Sequence, residues 1–521
     1  MVRSAFRSWT KFLAALLLLT GSGLLPPAVA AEFVVGTREE LATVLKKAEG
    51  GDVIKLKPGK YAPIKIGDRN DFDQPVTITS AELPHSAVVT ELTLEGATNI
   101  EFRNILFDYE FEKADKSHDR FVSVANAKHI SFVDCVFDGD EVEATGKDID
   151  DGYATGVALG VRNSSDIIVK GNMFRRFLRG GVFRTVTNLE VSKNEVTEMR
   201  SDGFNFVEVE NARITGNYMH DFKRSLESAD HADMIQFWTS GTKKPSTDIL
   251  IEGNFIDAGT HRETQSVFFG NEEVRHGRAG TELYYRNLTI RENVIRNSQT
   301  NGITIGYGIG VVIENNTIIQ QQALEEGRKT QIPLIMITKG SRDVIVRNNI
   351  VPRTLNLDEK ADASWTMKNN YVVQRNNLSK TDHYNTTFVD ALARKSTTLD
   401  DLKILPTSSI AGRGLGASAS AFNTSPETLK GFIHVRSSGK GGFEKEFDAT
   451  YLYGPGGKLP EADIVSVEWD LGDGQKAAGG TVKHQFSKPG IYALTARIET
   501  RNTGAITLAK TVEIGNTAAI E

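Results

Sequence analysis

The stretch Ile167-Ile168-Val169-Lys170-Gly171-Asn172-Met173-Phe174 decides the fold, because its pattern returns along the chain. The pattern is an apolar residue, any residue, an apolar residue, two further residues, Asn, any residue and an apolar residue. The Asn position returns at Asn194, Asn217, Asn254, Asn293, Asn316, Asn349 and Asn370. Two earlier copies carry Ile105 and Cys135 in that position, and the shortest steps between copies are 21 to 23 residues.

A repeat this short, with apolar residues at every second position, cannot bury its apolar side alone. It has to stack on its neighbours, so that each copy adds strands to parallel sheets shared with the copies above and below. We therefore predict an all-β fold, a right-handed parallel β-helix over residues 31–400. Stacked rungs lie about 4.8 Å apart, so the recurring Asn side chains are expected to form a hydrogen-bonded ladder.

The first 30 residues have the pattern of a cleaved secretory signal peptide. Three basic residues precede an apolar run, Phe12 to Leu25, and Ala28-Val29-Ala30 supplies small residues at the cleavage point. The apolar run is short for a membrane span, and no later segment is apolar enough to cross a bilayer. Removing residues 1–30 changes the formal net charge from −6 to −9, because three basic and no acidic residues lie there. We expect a secreted monomer that does not bind nucleic acid, since such binding needs basic residues that neutralise phosphates.

Beyond residue 400 the repeat stops. Residues 401–428 include a Ser-, Ala- and Gly-rich stretch that we interpret as a linker, and 429–518 are predicted as a β-sandwich. Trp469-Asp470-Leu471-Gly472-Asp473-Gly474 and the later Pro489-Gly490-Ile491-Tyr492 resemble the motifs of a PKD domain, an immunoglobulin-like module. The resemblance implies a spacer or substrate-docking module, with Trp469 as a core residue.

The rung pattern resembles that of exported β-helix proteins that include alginate and chondroitin lyases, pectate lyases, mannuronan epimerases and polygalacturonases. The front of the domain fits this resemblance, because Thr37 to Lys47 reads as an amphipathic helix followed by Gly51-Asp52. In this superfamily such a helix covers the open N-terminal end of the β-helix, where a first rung would otherwise expose a sheet edge. The resemblance implies an enzyme acting on an acidic polysaccharide, with alginate favoured.

The longest insertions between Asn217 and Asn293 indicate where function lies, because loops of a regular β-helix carry its variable residues. Aligned strands place Phe204, Ile235, Val267 and Ile303 inward. A polar column is then expected on the outer side, composed of Asp202, Asn205, Asp233, Gln236, Gln265, Phe268, Asn301 and Thr304.

Asp202 and Asp233 should be neighbours on adjacent rungs. Two bare carboxylates at that distance repel, so the pair is expected to hold a proton, a cation such as Ca²⁺, or a basic partner. Ca²⁺ is the only cofactor considered. Turn capping is the alternative role for Asp202, since Asp before Gly203 is common in turns.

A polyuronate lyase has to neutralise the substrate carboxylate, remove the C5 proton and protonate the leaving oxygen. We assign His231 or Lys223 as the base and Arg275 as the group that polarises the leaving oxygen. Substrate binding is assigned to Asn205, Gln236, Trp238, Gln265, Phe268, Lys244, Arg262 and His276. In the chondroitin- and alginate-lyase branch a Lys and an Arg in an Arg-His-Gly string act together, and this chain has Arg275-His276-Gly277.

Three other functions stay open. A C5-epimerase removes the same proton, and Asp230-His231-Ala232-Asp233 is faintly similar to the Asp-Pro-His-Asp string of mannuronan epimerases. An inverting glycosidase would use Asp202 with Asp230 or Asp233 around a water molecule. A non-catalytic glycan-binding protein is the remaining alternative.

Overall fold

The computed structural model describes residues 30–515 apart from 68–69, 144, 148–149, 226–227, 229–230, 259–263, 322–330, 354–362, 393–397, 419–427, 438–441 and 455–456. The predicted signal peptide, except for residue 30, lies outside the described residues, and so do Asp230 and Arg262. No helix in the described part of the chain is long and apolar enough to cross a bilayer.

Residues 32–372 form a parallel β-helix, as predicted. A complete rung has three strands, for example Phe204–Val207, Glu210–Thr215 and Tyr218–His220, which we assign to the first, second and third faces. The first two faces form one bent sheet of 21 strands, and the third face is a separate sheet of 12 strands. Each strand pairs in parallel with the equivalent strand of the next rung, as Phe204 opposite Ile235 illustrates.

The first face consists of Ile64–Gly67, Leu92–Glu95, Arg120–Ala125, Phe204–Val207, Asp233–Phe237, Gln265–Phe269, Asn301–Ile305 and Leu334–Ile337. Two strands run through the first and second faces, Val157–Lys170 and Arg179–Ser192. The second face adds Glu32–Val35, Val53–Leu56, Asp71–Ser80, Thr98–Arg103, Lys128–Val133, Glu210–Thr215, Thr247–Glu252, Tyr285–Arg291, Gly308–Glu314, Arg342–Arg347 and Trp365–Lys368. The third face consists of Gly59–Tyr61, Ala87–Val89, Leu106–Asp108, Val136–Asp138, Met173–Arg175, Glu195–Thr197, Tyr218–His220, Phe255–Asp257, Val294–Asn297, Thr317–Gln320, Ile350–Val351 and Tyr371–Val372.

The predicted asparagine ladder is present at the turn between the second and third faces. The amide Nδ2 of Asn254 donates to Asn293 Oδ1 (2.9 Å) and to the Ile214 carbonyl (2.9 Å), while Asn254 Oδ1 accepts from the backbone N–H of Asn217 (2.9 Å). The same side-chain bonds continue from Asn172 to Asn370. We call these eight side chains the asparagine ladder. They fix the register of the rungs.

A short helix covers the N-terminal rung, as predicted. Arg38–Leu45 is helical, and the Thr37 side chain caps it by accepting from the backbone N–H of Glu40 (3.1 Å). Leu41 and Leu45 are buried against the apolar interior. The helix thereby removes the exposed end of the core.

The interior of the first face is a stack of apolar side chains. Phe206, Phe237 and Phe269 stack with ring centroids 4.8 and 4.1 Å apart. Phe204, Ile235, Val267 and Ile303 are fully buried, as their alignment predicted. The alternate residues of these strands therefore face outward.

The C-terminal region is an antiparallel β-sandwich. Its strands are Lys430–Gly431, His434–Ser437, Glu444–Asp448, Leu452–Gly454, Gly457–Lys458, Ile464–Asp470, Lys476–Ala478, Thr481–Gln485, Gly490–Thr500 and Ala505–Ile514. Trp469 is a buried core residue, and its Nε1–H donates to the Gly479 carbonyl (2.8 Å). The short helical turns in the described ranges are Glu272–Arg275, Thr281–Leu283, Tyr384–Thr387, Leu399–Leu402 and Glu461–Asp463.

Residues 401–418, which we predicted as part of a linker, instead pack on the third face. Ile410 and Leu415 are buried in an apolar cluster with Ile350. Backbone N–H groups of Gly416 and Ala417 donate to the β-helix, to the Asn348 carbonyl (2.8 Å) and Thr317 Oγ1 (2.9 Å). The Ser-, Ala- and Gly-rich composition suggested a linker, because it contains only a few apolar residues that pack on the β-helix.

The sandwich docks on the N-terminal half of the same face. Lys510 is buried and its Nζ lies 2.9 Å from Asp138 Oδ2 and 3.4 Å from Asp108 Oδ1. The Arg175 guanidinium lies 3.8 Å from the centre of the Phe432 ring. Because the chain itself covers much of the third face, the first face is the better candidate for a substrate surface.

Candidate functional site

The predicted polar column lies on the first face, in the order of the rungs. Asp233 is opposite Gln265, and Gln236 is opposite Asn205 on one side and Phe268 on the other. Thr304 continues this second row beyond Phe268. The register of a parallel sheet therefore brings together residues that are about 30 positions apart in the sequence.

Asp202 and Asp233 are in direct contact. The backbone N–H of Asp233 donates to Asp202 Oδ1 (3.0 Å), and both side chains are buried, with exposures of 3% and 0%. Asp202 Oδ2 accepts from Arg179 Nε (2.9 Å), and this arginine is 29% exposed. We expected the acid pair to hold a proton, a cation or a basic residue, and Asp202 has a basic residue, Arg179.

Asp233 has no arginine or lysine partner among the described residues. Its Oδ2 accepts from Gln236 Nε2 (2.7 Å), whereas its buried Oδ1 has no hydrogen-bond partner among the described residues. Burial raises the pKa of Asp233 well above its ordinary value, and the negative charges of Asp202 and Glu272 raise it further. The neutral, protonated form of the Asp233 carboxyl group is therefore favoured over the carboxylate.

The His231 side chain lies between the Asp233 carboxyl group and solvent. Its Nε2 lies 3.4 Å from Asp233 Oδ2, and its side chain is 57% exposed. The Phe268 ring meets the imidazole edge-on, with centroids 6.2 Å apart. Gln236 links Asp233 to Asn205, whose Nδ2 donates to Gln236 Oε1 (2.9 Å). An exposed imidazole beside a buried carboxyl group with a raised pKa is suited to proton transfer.

The column continues as a chain of neutral groups. Asn301 Nδ2 donates to Gln265 Oε1, and Thr304 Oγ1 donates to Asn301 Oδ1 (2.9 Å). Gln265 is 7% exposed and Thr304 8%, so these groups hardly reach solvent. Phe268 is half-buried and offers the more open surface.

The donor set around the acid pair does not fit Ca²⁺. That ion takes about six to eight oxygen ligands, but both oxygens of Asp202 are occupied, one by Arg179 and one by a backbone N–H. In the described ranges, no group of three or more His, Cys, Asp or Glu side chains could hold a metal ion. The Arg179 guanidinium lies beside Asp202, where Ca²⁺ was expected.

Two predicted substrate-binding residues, Trp238 and Lys244, follow the first-face strand Asp233–Phe237 at its C-terminal end. Trp238 is half-buried, and the Arg184 guanidinium lies 5.7 Å from its ring centre. The turn that contains Lys244 is held by Glu208 Oε1, which accepts the backbone N–H groups of Lys243 (2.7 Å) and Lys244 (3.1 Å). The Lys244 side chain is exposed beside this turn.

Arg275 and His276 are exposed at the end of the short helix Glu272–Arg275. The Arg275-His276-Gly277 string therefore lies in a helix and the turn after it, not on a strand of the first face. Arg275 is therefore not one of the residues of the polar column that contains Asp233 and Gln236.

Lys223 is not desolvated, as a lysine base would have to be. Its side chain is 50% exposed, and its Nζ pairs with Glu198 (2.9 Å) and lies 3.9 Å from Glu141. It follows a strand of the third face, Tyr218–His220. The structure gives this lysine the role of a solvated ion-pair partner.

The sequence analysis missed Arg179. Extending the strand alignment by one rung would have found it, because Arg179-Gly180-Gly181 aligns with Asp202-Gly203-Phe204 through the pairing of Gly181 with Phe204. The insertions directed attention to later rungs. Arg179 Nη1 also lies 3.3 Å from Nδ1 of His118, a second residue that was not predicted.

Comparison with known proteins identifies the C-terminal region. Residues 446–514 match the family model of the PKD domain, so the chain is a parallel β-helix followed by a PKD domain. No curated protein matches the chain.

Solved structures with weak similarity cover each part. The PKD1 domain of Vibrio anguillarum Epp is 16% identical, and the match covers 17% of this chain and 94% of that one with a TM-score of 0.14. A polygalacturonase from Erwinia carotovora ssp. carotovora is 13% identical, with coverages of 67% and 94% and a TM-score of 0.30. The PL6 family alginate lyase AlyGC is 12% identical, with coverages of 76% and 60% and a TM-score of 0.32. Nothing about the reaction of this chain follows from these likenesses.

Proposed function

We propose that the chain is a secreted polysaccharide lyase that cleaves a uronic-acid polysaccharide by β-elimination at the first face of the β-helix. One observation carries the proposal: His231, 57% exposed, lies 3.4 Å from the buried carboxyl group of Asp233. Alginate is the first substrate to test, because of the sequence resemblance.

The chemistry divides among three side chains. Arg179 is partly exposed and neutralises the uronate carboxylate, which makes the C5 proton more acidic. His231 removes that proton, the electron pair forms the C4–C5 double bond, and the bond from C4 to the glycosidic oxygen breaks. The imidazolium then gives its proton to the leaving oxygen. Asp233 does not touch substrate; it is a positioning residue that orients the His231 ring.

Burial of the acid pair favours elimination over hydrolysis. An inverting glycosidase needs two carboxyl groups about 6.5–9.5 Å apart, with a water molecule and a glycosidic bond between them. Asp202 and Asp233 have side-chain exposures of 3% and 0%, and one hydrogen bond links them. Neither carboxyl group can reach a sugar.

The direct experiment is product analysis with purified protein and a panel of acidic polysaccharides: polymannuronate, polyguluronate, pectate and chondroitin sulfate. We expect new ultraviolet absorbance from unsaturated uronate ends on at least one polymer. Reducing ends without that absorbance would establish hydrolysis and overturn the proposal. Exchange of solvent deuterium into an uncleaved polymer would identify an epimerase instead.

A further inference from the structure

Arg120 lies in the same column as Arg179, nearer the N-terminal end. Arg120 is opposite Val157, and Val157 is opposite Arg179, so the two arginines are separated by two rung steps, or about 9.6 Å. The column continues from Arg179 to Asp202, its ion-pair partner. Arg120 is therefore on the first face, on the path of any polymer that lies along the β-helix axis through the proposed site.

The Arg120 side chain packs on a glycine of the next rung, Gly160. A Cβ added at Gly160 would lie 2.2 Å from Arg120 Cδ and 2.8 Å from its Nε. The arginine side chain consequently lies flat over the Gly160 backbone, across the floor of the first face. Any larger residue at position 160 would displace it.

Arg120 has no ion-pair partner among the described residues, whereas two arginines of the neighbouring face are paired. Arg291 pairs with Glu252 and Arg347 with Glu314, both at 2.7 Å, along the second face. Arg120 is exposed, and no carboxylate of the described residues pairs with it. A guanidinium held over a glycine and left without a partner is ready to bind a planar anion.

We infer that Arg120 binds a second carboxylate of the same substrate chain, two rungs from the one at Arg179. The inference rests on the proposed function and sharpens it. Each sugar of an extended polysaccharide advances the chain by a distance comparable to one rung, so carboxylates two sugars apart match the two arginines. The substrate is then a polymer with uronates repeated along its backbone, lying parallel to the β-helix axis.

The test compares kinetics and binding of Arg120→Gln and Gly160→Ala with those of the unaltered protein. With the polyuronate that is cleaved, we expect KM to rise about tenfold in Arg120→Gln, with a smaller change in kcat. Gly160→Ala keeps the charge but displaces it, so KM should rise in the same direction. Arg120→Lys should recover part of the affinity. Lys128→Gln, an exposed lysine on the second face, is the control and should change neither parameter.

An unchanged KM in Arg120→Gln, with the parent protein active as a lyase, would overturn this inference and leave the proposed function standing. If no polyuronate is cleaved, the proposed function fails, and binding is then measured by affinity electrophoresis in gels containing polymannuronate, polyguluronate or pectate. Retardation that is weaker in Arg120→Gln than in Lys128→Gln would still support the subsite. Equal retardation would reject it.

Discussion

Two columns of polar side chains run along the same β-helix, and they differ in how their hydrogen bonds are completed. In the asparagine ladder, each internal amide donates to the next rung and accepts from the one before, as Asn254 does with Asn293 and Asn217. In the first-face column, by contrast, the residue type changes from one rung to the next. Arg179, Asp202 and Asp233 follow each other, and Asp233 Oδ1 is buried without a partner among the described residues.

The difference separates a structural column from a candidate reactive one. A uniform ladder satisfies every donor and acceptor, so it stabilises the fold and contains no group ready for proton transfer. A mixed column places a buried acid with a raised pKa, an imidazole and a guanidinium side by side at a cost in stability. The predictions below test this contrast, from the largest expected effect to the smallest.

Replacing a ladder residue should have the largest effect on stability. Asn254→Ala leaves the buried backbone groups of Ile214 and Asn217 without partners, and each such loss costs about 1–3 kcal/mol. We expect the free energy of unfolding to fall by at least about 3 kcal/mol. Denaturant titration measures it. Asn211→Gly removes an exposed Asn–Asn bond (2.8 Å) on the second face without straining the backbone, whose φ is 54° there, and should have little effect.

Replacing the exposed histidine should instead remove activity and spare stability. His231→Gln is expected to lower kcat/KM at least about 100-fold, the range for a lost acid–base group. The thermal midpoint should change little, since the side chain is 57% exposed. His129→Gln is a matched control, because His129 is 45% exposed and lies 3.9 Å from Asp166 on the second face. Equal activity in the two variants would move the reaction centre elsewhere.

A third, smaller effect is expected where the PKD domain docks. Lys510→Met removes the cation that the half-buried Asp108 and the buried Asp138 share, at a cost of about 1–3 kcal/mol. Burial already raises the pKa of Asp108 to about 6 despite Lys510. We expect faster proteolytic separation of the two domains. Lys483→Met, in which an exposed lysine of the same domain is replaced, should leave the rate unchanged.

The fold was predictable because it repeats. The Asn spacing gave the rungs, the ladder and the inward-facing residues such as Phe204, since errors in one copy are corrected by the others. Residues 401–418 were misjudged, because their packing depends on a few apolar residues, such as Ile410, in a polar segment. The sequence of a single segment does not show that the segment will pack on a sheet that is distant in the chain.

The candidate site was predictable only within the aligned strands. The contact of Asp202 with Asp233 and the link from Asn205 to Gln236 follow from register. Loop residues do not, because insertions have no repeat to fix their direction; Lys223 and Arg275 lie in such segments. Arg179 lies one rung before the first aligned strand and outside the inserted rungs, and so it was overlooked.

Asp233→Asn, examined for both activity and stability, tests most directly whether the mixed column trades stability for reactivity. Because the pKa of Asp233 is raised in the folded state, the unfolded chain ionises first as the pH rises above about 3.9. Stability that is present below that pH is then lost towards neutral pH, by about 1.4 kcal/mol for each unit by which the pKa is raised. Asn cannot ionise. We predict that Asp233→Asn has a higher thermal midpoint than the parent protein at pH 7, by a margin that disappears near pH 4, and a kcat at least about tenfold lower. Full activity, or a lower midpoint at pH 7, would contradict the account.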